Sequence, residues 1–142
     1  MICYFDTSAF IPLLISESGT LQASRLWEKS DHVVSSRLLY VETAAALAQA
    51  KRMRRIDDTT HSEAMTSLEQ LFSAFDVVTV DDRLIRRAAI LAHDLGLREY
   101  DAVHCAAAEQ LASPELVVAA GNRMLLQACR ELGMATVDTS GS

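Results

Sequence analysis

Three acidic side chains stand where their surroundings are apolar. Asp6 follows the run Ile2-Cys3-Tyr4-Phe5, Glu42 lies inside Leu38-Leu39-Tyr40-Val41-Glu42-Thr43-Ala44-Ala45-Ala46-Leu47-Ala48, and Asp101 opens Asp101-Ala102-Val103-His104-Cys105-Ala106-Ala107-Ala108. Each has an ordinary structural reading. Asp6 and Asp101 stand where an acid caps a helix. Glu42 has Leu38, Ala45 and Ala46 as its helical neighbours, so it either meets a cation such as an arginine or sits at an edge that reaches water. Taken together, the three could converge on one pocket. Carboxylates with water are the ligand set of Mg²⁺ or Mn²⁺, and a bound cation would offset their mutual repulsion. Such a centre activates water and stabilises in-line displacement at a phosphodiester. Asp6, Glu42 and Asp101 are therefore the candidate metal ligands and catalytic residues.

Other residues carry weaker signals. His104 shares a helix face with Asp101, so it could orient the acid or ligate a metal, although a histidine among alanines reads first as a packed, hydrogen-bonded residue. The run Lys51-Arg52-Met53-Arg54-Arg55, together with Arg83, Arg86 and Arg87, could contact phosphates, with Arg83 the candidate substrate contact. The plainer reading of the run is a solvated helix end favoured by the helix dipole. Arginine outnumbers lysine 11 to 2, which suits bidentate pairing with phosphate or carboxylate. There is no P-loop and no GxGxxG.

The elements that must position these residues alternate. Short apolar strands are predicted at 2–5, 33–36, 77–80, 116–120 and 135–137. Helical patterns fall between them: after Asp6, up to Lys29, from Arg37 to Met53, from Asp57 to about Ala74, from Asp81 to Leu95, from Tyr100 to Leu111, and from Asn122 to Leu132. Strands of four or five continuous apolar residues separated by helices indicate a parallel sheet covered on both faces. That is an α/β three-layer fold with four to five strands.

With 142 residues, 50% of them hydrophobic and 23% charged, the expectation is one domain over 1–142 with a real core, not a disordered chain. The net charge of −6 argues against a basic nucleic-acid coat protein. Cys3, Cys105 and Cys129 show no CxxC spacing and sit in apolar runs, as expected for reduced, buried thiols in the cytoplasm. No run is long enough to span a membrane, and the first residues do not read as a signal peptide.

The strand followed by Asp6-Thr7-Ser8-Ala9, then Val41-Glu42, then Leu97-Arg98-Glu99-Tyr100-Asp101-Ala102-Val103-His104, resembles the PIN-domain ribonucleases, and among them the VapC-type toxins of bacterial toxin–antitoxin pairs. The likeness runs from Met1 to about Val137, with Tyr-Asp-Ala-Val-His its most specific part. It implies a sheet of order 3-2-1-4-5, metal-dependent endonucleolytic cleavage of RNA, and an antitoxin partner that holds the enzyme inactive. A homodimer is also implied. Asp6, Glu42 and Asp101 match the family's acidic positions, with Asp6 and Asp101 the implied Mg²⁺ ligands, and Ser8 matches a hydroxyl position near the metal. Asn122, by the same resemblance a candidate catalytic residue, stands where a fourth acid is usual; it retains a carbonyl oxygen ligand but removes one negative charge, which should weaken a second metal more than the first and could reduce activity. Asp138 is not a substitute, because the implied order puts its strand one step beyond. Two other readings follow from the same residues: a catalytically weakened PIN domain that acts mainly as a binding partner, and an RNA-processing PIN nuclease that is not a toxin. A response-regulator-like module fits poorly, since no lysine follows Lys51.

Overall fold

A computed structural model describes residues 1–141. The elements run β1 (Ile2–Phe5), α1 (Thr7–Phe10), a 3-10 turn (Ile11–Leu13), α2 (Thr20–Lys29), β2 (His32–Ser36), α3 (Leu39–Arg52), α4 (Asp58–Phe72), β3 (Asp76–Val78), α5 (Asp82–Leu95), α6 (Glu99–Gln110), β4 (Leu116–Ala120), α7 (Arg123–Glu131) and β5 (Ala135–Asp138). The five strands form a single parallel sheet of order β3-β2-β1-β4-β5. The expected order and three-layer class both hold.

β1 occupies the centre because it can be buried on both faces. Alternation sends Tyr4 to one side and Cys3 and Phe5 to the other, and all three are fully buried. Tyr4 joins Val118, Leu84, Leu91 and Leu125 beneath α5, α6 and α7. Cys3 and Phe5 join Phe10, Leu39, Leu68 and Phe75 beneath α1 to α4. The second layer is aromatic, with Phe5, Phe10 and Trp27 each meeting Phe75 edge-on. The three cysteines are buried and free, and burial pushes the Cys3 thiol up to about 12. Among the described residues no helix is long and apolar enough to cross a membrane.

Most boundaries shift by one or two residues, and two of the differences have a clear physical cause. β3 stops at Val78 instead of reaching Val80. Its only neighbour is β2, whose last residue Ser36 already pairs with Val78, so Thr79 and Val80 have no ladder to join. Helix α6 starts at Glu99 after Arg98, and its N-cap has no side-chain bond. Asp101 is thus inside the first turn and does not cap the helix, which leaves its carboxylate for other partners.

Candidate active site

The acids gather at the carboxyl ends of the central strands, where open α/β sheets bind ligands. Asp6 leaves β1 with its N–H bonded to the carbonyl of Ala119 on β4. Its carboxylate caps α1 by accepting from the Ala9 N–H at 2.9 Å, so the capping role is real. It also accepts the Ser8 hydroxyl at 2.7 and 2.8 Å on its two oxygens. Ser8 in turn accepts the Gly121 N–H at 2.7 Å. The hydroxyl therefore ties the β1 exit to the β4 exit and holds Asp6 in place.

Asp6 is 3% exposed, and among the described residues no cationic side chain forms an ion pair with it. Burial pushes its carboxyl up to about 6, with the nearby Asp101 charge adding to the rise. The His104 charge and the Ser8 and Ala9 hydrogen bonds pull the other way. A buried carboxylate in this condition is under-compensated.

Glu42 sits in the first turn of α3 and is held from two sides. Thr7 Oγ1 donates to Oε2 at 3.1 Å, and His104 Nε2 lies 3.0 Å from Oε1. The carboxylate can only accept, so Nε2 carries the proton. The other ring nitrogen, Nδ1, is 2.7 Å from the Tyr4 hydroxyl. Tyr4, His104 and Glu42 thus form a chain from the core to the pocket rim, with His104 side chain 2% and Glu42 side chain 14% exposed. The partner of Glu42 is a histidine, not the arginine considered from sequence. The apolar stripe is also narrower than it looks, because Ala45 is exposed and the buried ridge of α3 is Leu39, Thr43, Leu47 and Ala50. Burial lowers the His104 pKa, but its bond to Glu42 and the charges of Glu42, Asp6 and Asp101 outweigh that and leave it raised. Asp101 lies one turn before His104 on α6, and Thr7, which is bonded to Glu42, directly follows Asp6, so the three acids gather at one end of the sheet.

Asp101 Oδ2 accepts from Asn122 Nδ2 at 2.9 Å. Asn122 Oδ1 caps α7, accepting from the Met124 and Leu125 N–H groups at 3.1 and 3.3 Å. Capping fixes the amide's orientation, so the NH₂ end must face the acid pocket. The carbonyl oxygen that sequence reasoning offered as a ligand is engaged with the helix instead.

Asp6, Ser8, Glu42, Asp101 and Asn122 are therefore brought together. Arg83 is exposed on the first turn of α5 at the same sheet edge, but β3 is two strands from β1, roughly 10 Å away. Arg87 is committed elsewhere, donating to both oxygens of Glu109 at 2.7 and 2.8 Å. Asp138 is exposed, and its Oδ1 accepts the Ser140 N–H. Tyr4 and Thr7 were not singled out from sequence. The available signals were a hydroxyl in the middle of a buried strand and a threonine adjacent to Asp6.

Among the described residues no three His, Cys, Asp or Glu side chains are set to hold one metal ion by themselves. Mg²⁺ commonly takes only one or two carboxylates and keeps several waters. The donor set fits a hard divalent cation: it is all oxygen, and the buried, unpaired Asp6 would gain from a positive neighbour.

The family model described as PIN domain matches residues 3–139. Ribonuclease VapC45 of Mycobacterium tuberculosis (strain CDC 1551 / Oshkosh) is 40% identical over 124 residues, covering 87% of this chain and 86% of the relative. Among solved structures, PAE2754 from Pyrobaculum aerophilum superposes with a TM-score of 0.72 at 20% identity, covering 99% of this chain and 90% of that one. A chain of a toxin–antitoxin complex from Klebsiella pneumoniae superposes with a TM-score of 0.67 at 18% identity, covering 96% and 97%.

Proposed function

The chain belongs to the PIN-domain family, and from that premise we propose that it is a metal-dependent endoribonuclease and the toxin of a toxin–antitoxin pair. The observation that carries the reading is the buried Asp6, with no ion pair among the described residues, tied through Ser8 to Gly121 beside the Asn122–Asp101 bond, with Glu42 held by Thr7 and His104 at the same carboxyl edge of the sheet. Support for RNA as substrate comes from the 40% identity to a ribonuclease over most of the chain.

Asp6 and Asp101 would hold Mg²⁺, with Mn²⁺ able to substitute, and Glu42 completes the acidic face. When bound, the cation lowers the pKa of water and neutralises charge on the scissile phosphate. The protein's own residues do the positioning. Ser8 and the Ala9 N–H fix Asp6, Asn122 fixes Asp101, and His104 with Thr7 fixes Glu42. Glu42, the least buried end of its chain of contacts, would accept a proton from an attacking water.

An acidic pocket of this kind suits an inserted antitoxin arginine. The apolar cleft lined by Leu13, Trp27 and Leu71, with Leu21 exposed on α2 nearby in sequence, offers a seat for an antitoxin's apolar face. Co-expression with the neighbouring short reading frame should yield a complex whose RNA cleavage is blocked.

End-group analysis tests the chemistry. Attack by water with cleavage of the P–O3′ bond, the 3′-oxygen leaving as the hydroxyl, gives 5′-phosphate and 3′-hydroxyl ends, which is the expected result. Products ending in a 2′,3′-cyclic phosphate would show that the RNA's own 2′-hydroxyl attacks, and would contradict the proposal.

A further inference from the structure

At the far end of α3 from Glu42 lies a cleft of about 860 Å³, lined by Lys51, Arg52, Arg54, Arg55 and His61 together with Asp57 and Asp58. Its acids are already committed. Asp57 Oδ1 caps α4 through the Thr60 N–H at 2.7 Å, and Asp58 lies 3.5 Å from the Lys51 ammonium. Arg52, Arg54 and Arg55 are exposed, and among the described residues their guanidinium groups have no hydrogen bond or ion pair. Three free arginines side by side on a chain of net charge −6 are a local reversal of the molecule's sign.

The backbone presents them. The Arg54 N–H bonds to the Lys51 carbonyl and the Arg55 N–H to that of Ala50, closing α3 with Arg54 at φ +58°. This left-handed conformation is one a residue with a β-carbon rarely adopts. Glycine or asparagine would be easier there, and an arginine stands instead.

The cleft also leads to the acid pocket. A second cleft of about 280 Å³ is lined by Ser8, Glu17, Ala46, Ala50 and Arg55. It shares Arg55 with the basic cleft and Ser8 with the Asp6 anchor. Its α3 wall carries Ala46, Leu47 and Ala50. From Glu42 to Lys51 the helix rises about 14 Å, roughly four nucleotides at the rise of a stacked strand.

We infer that the basic cleft where α3 meets α4 binds the sugar–phosphate backbone of single-stranded RNA, holding the strand that leaves the acid pocket along α3. This rests on the nuclease reading and deepens it. Arg52, Arg54 and Arg55 supply the phosphate contacts, and a single strand is flexible enough to follow the second cleft along α3.

The test uses the full-length protein carrying Asp6→Asn, so that RNA is not cut, with a fluorescein-labelled oligouridine of about 20 nucleotides as probe. Adding Arg54→Gln and Arg55→Gln should weaken binding about tenfold at low salt. It should also reduce the slope of log K against log salt by about 1.4, at about 0.7 for each phosphate contact on a single strand. Arg52→Gln, in the regular helix, repeats the test without touching the left-handed turn and should lower the slope by about half as much. Unchanged affinity and slope in both variants, with unchanged melting curves, would overturn the inference. So would loss of polyglutamate binding with RNA binding intact, which would make the cleft a seat for an acidic polypeptide. Failure of the nuclease reading looks different: the native sequence would cut no RNA with Mn²⁺ whatever the arginine variants do.

Discussion

Asp6 bears a charge that the fold disfavours, and this has a measurable consequence. Its carboxyl is pushed from the ordinary 3.8 up to about 6, so folding favours the protonated form. The resulting penalty is absent below pH 3.8, grows as pH rises through about 6, and is complete above it. Two pKa units correspond to about 3 kcal/mol. Asparagine caps a helix as well as aspartate does, so Asp6→Asn should keep the α1 cap. We therefore expect cation-free Asp6→Asn to be more stable than the native sequence at pH 7, by about 1–3 kcal/mol, with the difference vanishing near pH 4. Urea denaturation in chelator at a series of pH values measures this. The coupling of His104 and Glu42 belongs to the same scale. Since each is the other's main partner, a double-mutant cycle with His104→Gln and Glu42→Gln should give a coupling of about 1–3 kcal/mol, and His104→Gln should also slow RNA cleavage by about tenfold.

The helices meet the pocket by their first turns. α3 brings Glu42, α6 brings Asp101, and the α7 cap is Asn122. Asn122 joins two of these elements, because one end of its amide caps α7 and the other donates to Asp101. Asn122→Asp keeps the cap but turns a donor into a repelling charge. The cation-free protein should lose about 1 kcal/mol of stability, while its melting temperature should respond more strongly to added Mn²⁺. If the parent cuts RNA poorly and this variant gains a large increase, the weakened-nuclease reading applies; little change would leave Asn122 as a structural tie. Legibility differed among these elements. The α7 start was legible to within one residue, since the helical pattern was expected from Asn122 and the helix begins at Arg123, whereas the departure at Asn122 came from resemblance to a family. The exact start of α6 was not, because Arg98 offers no side-chain cap and Asp101 looks like one.

At the level of the whole molecule, the alternation of short apolar runs and helices was sufficient for the three-layer class, whereas the strand order came from resemblance to a family. The acid trio was legible because carboxylates on apolar elements are conspicuous. What holds the trio was not. Tyr4 and His104 are 100 positions apart, and no local pattern pairs them. The charge of −6 is likewise a property of distribution: three of the acids face one pocket, and three unpaired arginines line another cleft. A divalent cation that binds only the folded form should stabilise it by about 2.7 kcal/mol at a hundredfold excess over Kd. A thermal shift with Mn²⁺ reads that out and should be lost in Asp101→Asn.

The central claim is that Asp6, Glu42 and Asp101 form a cation-dependent RNA-cutting centre. The most direct measurement is cleavage of labelled RNA by the purified protein with Mg²⁺ or Mn²⁺, with excess chelator, and by the Asp6→Asn variant. Cleavage with cation, and none with chelator or with the folded variant, is the expected result. Cleavage that persists in chelator or in Asp6→Asn would contradict the account.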